Sequence, residues 1–81
     1  MPEASSVVLY ARRSCGLCDE ARAIILAERG RLGFGFREVL IDGDDELERR
    51  HGLRVPVVEV NGVEAFEYVV DAAGLRALLG D

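Results

Sequence analysis

The chain has 81 residues, 49% of them apolar and 31% charged, and a net charge of −5 at neutral pH. That length is expected to hold one domain, residues 1–81, with the composition of a soluble globule. The acidic total argues against nucleic acid or an anionic membrane surface as partner. No apolar run reaches the ~20 residues of a membrane span, and no signal peptide opens the chain, so a cytoplasmic location is expected.

Val7-Val8-Leu9-Tyr10-Ala11 is a continuous apolar run with β-branched members, the pattern of a strand buried on both faces. Ser14 offers a hydroxyl to cap the helix that follows. Leu17, Cys18, Ala21, Ile24 and Ile25 fall on one broad face of that helix, with Asp19, Glu20, Arg22 and Arg29 largely on another. Gly30 and Gly33 mark its end. Phe34 to Ile41 reads as a second strand, and Asp45 with Glu48 resembles a capping box for a short helix over about 45–51, with Gly52 as its stop. Val57 to Val60 is a third strand. Asn61-Gly62 signals a type I′ turn, so a fourth strand over about 63–67 returns antiparallel. Asp71 caps a last helix that turns Leu75, Leu78 and Leu79 inward. The order β-α-β-α-β-β-α, with a right-handed crossover between the first two strands, predicts an α/β three-layer sandwich around a four-stranded mixed sheet.

The chain has two cysteines, in the run Cys15-Gly16-Leu17-Cys18. A single pair cannot build a multi-disulfide framework, and in a reducing compartment it is catalytic, sensing or metal-binding more often than structural. Cys15 falls where the first strand ends and the helix begins. Free amide groups and the helix dipole stabilise an anion there, and the thiolate is the nucleophile of disulfide exchange. With Arg12 and Arg13 adding positive charge, the Cys15 thiol is expected to ionise below the unperturbed ~8.5. Cys18 lies one helical turn on, within reach of a disulfide and on the more buried side, as a resolving thiol would. Val55-Pro56 opens the third strand, a position that suits a residue without an N–H donor.

These features together resemble the thioredoxin-fold superfamily, and more closely the small bacterial glutaredoxin-like proteins. The resemblance is carried by Val8-Leu9-Tyr10, by Cys15-Gly16-Leu17-Cys18 with Asp19-Glu20-Ala21, and by Gly52-Leu53-Arg54-Val55-Pro56-Val57. It implies Cys15 as nucleophile, Cys18 as resolving cysteine, a cis peptide before Pro56, and a Val55 backbone that pairs with a bound thiol or peptide. Arg13 is a further candidate for substrate binding. The chain departs from dithiol glutaredoxins in lacking Pro-Tyr between the cysteines. It also has Val69-Val70 before Asp71, where a Gly-Gly pair helps those proteins hold glutathione.

The expected function is that of a thiol–disulfide oxidoreductase acting on a disulfide-containing protein or a small thiol substrate and recharged by an upstream reductase. No cofactor or resident metal is expected, with glutathione a candidate reductant. Two other classes compete: a zinc or iron–sulfur module that uses the same cysteines in a homodimer, and a thioredoxin-fold adaptor without turnover. His51, the one histidine, reads as a surface or capping residue. The acidic residues Asp42, Asp44, Asp45 and Glu46 read as turn and cap groups, because their spacing does not make a calcium loop. Phe66 and Tyr68 read as strand residues packing on or flanking the sheet.

Overall fold

A computed structural model describes residues 5–80. Strand β1 (Ser6–Ala11) leads into helix α1 (Gly16–Leu32), strand β2 (Gly35–Leu40) and helix α2 (Asp45–His51). Strands β3 (Val57–Val60) and β4 (Val63–Glu67) follow, and helix α3 (Ala72–Leu78) ends the fold. The four strands form one sheet in the order β2-β1-β3-β4. β1 and β2 are parallel, joined through α1; β1 pairs antiparallel with β3, and β3 with β4. This is the α/β arrangement the sequence predicts, with the element order unchanged.

Alternation along the strands assigns the two faces of the sheet. Val7, Leu9 and Ala11 of β1 join Val58 and Val60 of β3 under Cys18, Ala21 and Ile25 of α1 and Leu75 of α3. The intervening Tyr10 points to the opposite face, where its ring stacks on His51 of α2 with centroids 4.4 Å apart. The hairpin between β3 and β4 turns at Asn61 and Gly62, with φ of 53° and 83°. The Asn61 carboxamide oxygen accepts from the Ser6 N–H at 2.9 Å and ties the turn to β1.

Several local expectations are corrected. Ser14 does not cap α1: its backbone is left-handed (φ 53°) and Cys15 is the capping residue. Gly30 lies inside α1, and the helix ends at Gly33, whose left-handed φ of 69° lets its N–H reach the Arg29 carbonyl at 2.9 Å. Asp44, not Asp45, caps α2, accepting from the Leu47 N–H at 3.1 Å. Glu48 is therefore not the far half of a capping box, and it turns instead to Arg12 across the end of β1. Leu17 and Leu78, placed inward by helical spacing, are both exposed. Each sits at an end of its helix, Leu17 in the first turn of α1 and Leu78 at the last residue of α3. Tyr68 lies beyond β4 and is left-handed (φ 66°), whereas Phe66 packs on the core from within the strand.

His51 departs furthest from its expected surface position, being only 2% exposed. The last turn of α2 lays the imidazole over the Tyr10 ring, so the helix terminus packs on the sheet instead of facing water. Burial, reinforced by the cations of Arg50 and Arg54, pushes its pKa below the ordinary histidine value.

A candidate redox site at the start of helix α1

The site grows out of the end of β1. Arg12 and Arg13 leave the sheet, Ser14 makes a left-handed turn, and the chain enters α1 with Cys15 in an extended conformation at the N-cap. The Cys15 sulfur takes the role usually filled by a capping oxygen and accepts the Cys18 N–H at 3.1 Å. The Cys15 carbonyl accepts from the Asp19 N–H at 3.0 Å, closing the first turn. Cys18 lies one turn on with its Cα 5.2 Å from that of Cys15, and the two sulfurs are joined as a disulfide. Cys18 is fully buried in the core, while Cys15 packs on that core and stays partly exposed. An amide and the positive end of a 17-residue helix thus face the outer sulfur.

The second part of the site arrives from β3. Tyr10 pairs with Val57 in the register of β1 against β3, so the residues preceding Val57 stand at the end of the sheet where α1 begins. The Val55–Pro56 peptide bond is cis. Pro56 is buried, and Val55 packs on the same core as Cys15. The Pro56 carbonyl accepts from the Tyr68 N–H at 2.9 Å, and the Tyr68 hydroxyl donates to the Leu53 carbonyl at 2.9 Å. Residues 53–56 are therefore held to the segment after β4, a connection that the sequence alone does not reveal. The signal in the sequence for Tyr68 is its place between the fourth strand and the Asp71 cap, where the chain must reverse.

The arginines near this end divide by what they hold. Arg12 is engaged by Glu48, donates to the Gly52 carbonyl at 3.1 Å, and has its pKa raised, chiefly by the hydrogen bond to Glu48. Arg54 is bound by Glu64 and Glu67 and donates to the Arg50 carbonyl at 2.8 Å. Arg22 is bound by Glu38 and Asp19. Arg13 is exposed, anchored through its backbone N–H to Asp42 Oδ2 at 3.0 Å. It lines an open groove with Arg12, Ser14 and Asp19 on one side of α1. On the other side a smaller, apolar cavity opens beside Leu17. Among the described residues, no three His, Cys, Asp or Glu side chains gather as a metal-ligand cluster, and no helix is long and apolar enough to cross a membrane.

Comparison with known proteins agrees with this geometry. A family model described as a glutaredoxin-like domain (DUF836) matches residues 6–80. A Nitrosomonas europaea protein solved by NMR superimposes with a TM-score of 0.84 at 29% identity, covering 99% of this chain and 96% of its own. An X. campestris protein solved by X-ray crystallography gives a TM-score of 0.72 at 40% identity, covering 90% of this chain and 93% of its own. A thioredoxin mutant from Halobacterium salinarum shares the fold alone, at 18% identity and a TM-score of 0.69, over 95% of this chain and 73% of its own. A search of curated proteins returned no match.

Proposed function

The chain belongs to the glutaredoxin-like family with a thioredoxin fold, and from that premise we propose that it is a dithiol oxidoreductase working through Cys15 and Cys18. The observation that carries the reading is the Cys15 sulfur at the N-cap of α1, held by the Cys18 N–H and within bonding reach of a buried second sulfur. A thiolate at that position is stabilised by the same amide and helix dipole. In the reduced protein, Cys15 attacks one sulfur of a substrate disulfide. A mixed disulfide forms, the substrate S–S bond breaks, and one substrate thiolate leaves. Cys18, deprotonated, then attacks the Cys15 sulfur and displaces the second substrate thiolate. The protein ends as the Cys15–Cys18 disulfide, and two electrons have passed to the substrate. A thiol reductant of the cell returns the pair to the dithiol, which suits a reducing, cytoplasmic setting. Val55, next to the cis bond, presents the backbone that would align the incoming sulfur, and Arg13 lies on the open rim.

The test is equilibration of the protein in buffers of defined glutathione or dithiothreitol potential, with free thiols counted by alkylation and mass. A reversible two-electron transition at about −200 to −270 mV is expected. Cys15→Ser should abolish disulfide reduction, and Cys18→Ser should stop the reaction at a mixed disulfide on Cys15. If the pair cycles at no potential, or if Cys15→Ser leaves activity intact, the dithiol mechanism is wrong.

A further inference from the structure

Resting on the dithiol reading, we infer that the cavity beside the cysteine pair seats an apolar side chain of a polypeptide substrate, so that this chain selects protein disulfides over glutathione. The cavity encloses about 160 Å³. It is walled by Leu17, Ala21 and Ile24 of α1 and by Tyr68, Val69 and Val70 of the segment after β4. A dry apolar cavity of about 150 Å³ is enough to hold benzene, so this one fits the end of a leucine, methionine or phenylalanine side chain. Leu17, which lines the cavity, lies between the two cysteines in sequence, so the cavity begins within one helical turn of the pair. A substrate whose sulfur has reached Cys15 therefore brings its flanking residue to this cavity.

Two further observations fix the class of occupant. The first is charge. Among the described lining residues the one ionisable group besides the Tyr68 phenol is the Glu20 carboxylate. Glutathione carries two carboxylates and an ammonium, and this wall offers its carboxylates repulsion and no cation. Arg12, Arg22 and Arg54 are held by other carboxylates, and Arg13 lines the groove on the opposite side of α1. The second is preorganisation. Tyr68 is a bulky residue held at a φ of 66°, a region such side chains seldom occupy, and it is pinned at both ends, by its N–H to Pro56 and its hydroxyl to Leu53. In that conformation Tyr68 lines the cavity, and Val69 beside it is 65% exposed. Leu53, joined to Tyr68 through its hydroxyl, is 92% exposed. An apolar surface kept open around a reactive pair loses contact with water when a polypeptide covers it.

The experiment uses the full chain, reduced with dithiothreitol and desalted, and four disulfide probes that release the same coloured thionitrobenzoate. One is Ellman's reagent itself. The others are the thionitrobenzoate mixed disulfides of glutathione, of a short peptide with Leu next to its cysteine, and of the same peptide with Ser there. The leucine peptide is expected to react about 10-fold faster than both the serine peptide and the glutathione derivative, the discrimination that one filled apolar pocket supplies. Val69→Asp, at an exposed rim position, should bring the leucine-to-serine ratio to about 1, and Leu17→Ser should lower it by a second route. Leucine and serine peptides reacting equally with the wild type, or glutathione reacting fastest, would overturn the pocket while leaving the dithiol reading intact. If Ellman's reagent itself reacts no faster than with a free small thiol, both readings fall.

Discussion

The two faces of the sheet are built by opposite means. Toward α1 and α3, Val7, Leu9, Val58, Ile25 and Leu75 close on Cys18 in an apolar layer with little polar content. Toward α2, the sheet is covered by the Tyr10–His51 stack, the Tyr10 hydroxyl bonded to Glu59 at 3.4 Å, and arginines bound to Glu48, Glu64 and Glu67. The apolar face holds the inner sulfur and sets most of the stability, because buried area stabilises roughly in proportion to its extent. The polar face contributes direction more than strength. Its bonds converge on residues 48–54 and so fix the course of the chain into Val55–Pro56. A small fold of this kind can keep its cysteine pair on an apolar base while the opposing loop is set by polar and charged side chains.

The largest expected effect comes from opening the apolar face. Ile25 is fully buried beside Cys18, and Ile25→Ala should lower unfolding free energy by about 2–5 kcal/mol. Urea denaturation should show a lower midpoint with an unchanged slope. A loss under about 1 kcal/mol would mean that this layer collapses readily around a cavity and that the contrast between the faces is weaker than drawn.

Next in size is Gly52, at the hinge of the polar face. A Cβ there would run into the Glu48 carbonyl oxygen and come within 3.1 Å of the Arg12 guanidinium. Its backbone is ordinary right-handed helix (φ −50°), so the restriction is one of space and not of φ. Gly52→Ala should destabilise by about 1–3 kcal/mol through overpacking. It should also slow disulfide exchange more than Ile25→Ala does at matched temperature below melting, because it shifts the loop that carries Val55. Equal effects on exchange would show that the two faces do not divide base from loop.

Legibility in the sequence followed the same division. Elements of the apolar face were readable because periodicity records them directly: the Val7–Ala11 run, the Cys18-Ala21-Ile25 stripe and the Asn61-Gly62 turn each encode their own geometry. The cysteine pair was legible as spacing plus position. The polar face was not, because its contacts join residues far apart in sequence, as Arg12 with Glu48 or Arg54 with Glu64. Asp44 and Asp45 are chemically equivalent as caps, and register alone decides between them. His51 looked solvent-facing because a helix terminus with charged neighbours normally is, and only the Tyr10 ring opposite it makes a buried place.

A third, smaller effect follows from that histidine. The pKa of His51 is lowered in the folded chain by burial, then by Arg50 and Arg54, against opposing pulls from Glu64 and Glu59. The unfolded chain, with its histidine near 6.5, takes up the proton first. Stability should therefore be level above about pH 6.5 and fall as pH drops from there toward the folded-state value. Thermal melts between about pH 7 and 5 should show the fall. The window stays above the usual carboxylate range, and Glu64, whose own pKa is lowered by Arg54, titrates further down. His51→Phe keeps a ring against Tyr10 and removes an Nε2 that has no hydrogen-bond partner, so it should flatten the slope without lowering stability at pH 7. A slope that survives this substitution belongs to other groups.

The smallest effect isolates the ion network from the histidine it borders. Arg54 is about one-third exposed, bound to Glu64 and Glu67, and places Nη2 3.5 Å from His51 Nδ1. Ion pairs this open to water contribute little, since screening and side-chain ordering offset the attraction. Arg54→Met should barely move the melting temperature at pH 7, and raised salt should mask what change there is. Its clearer consequence is on the slope. Removing a cation that repels protonated His51 lets the folded-state pKa rise toward its unfolded value, while Glu64 and Glu59 go on favouring the charged form. The difference in bound protons between the two states shrinks, and with it the loss of stability on acidification. A shallower slope with an unchanged neutral-pH melt would show that the network tunes the histidine more than it holds the fold. A large neutral-pH loss with an unchanged slope would reverse that order and make the polar face a structural support in its own right.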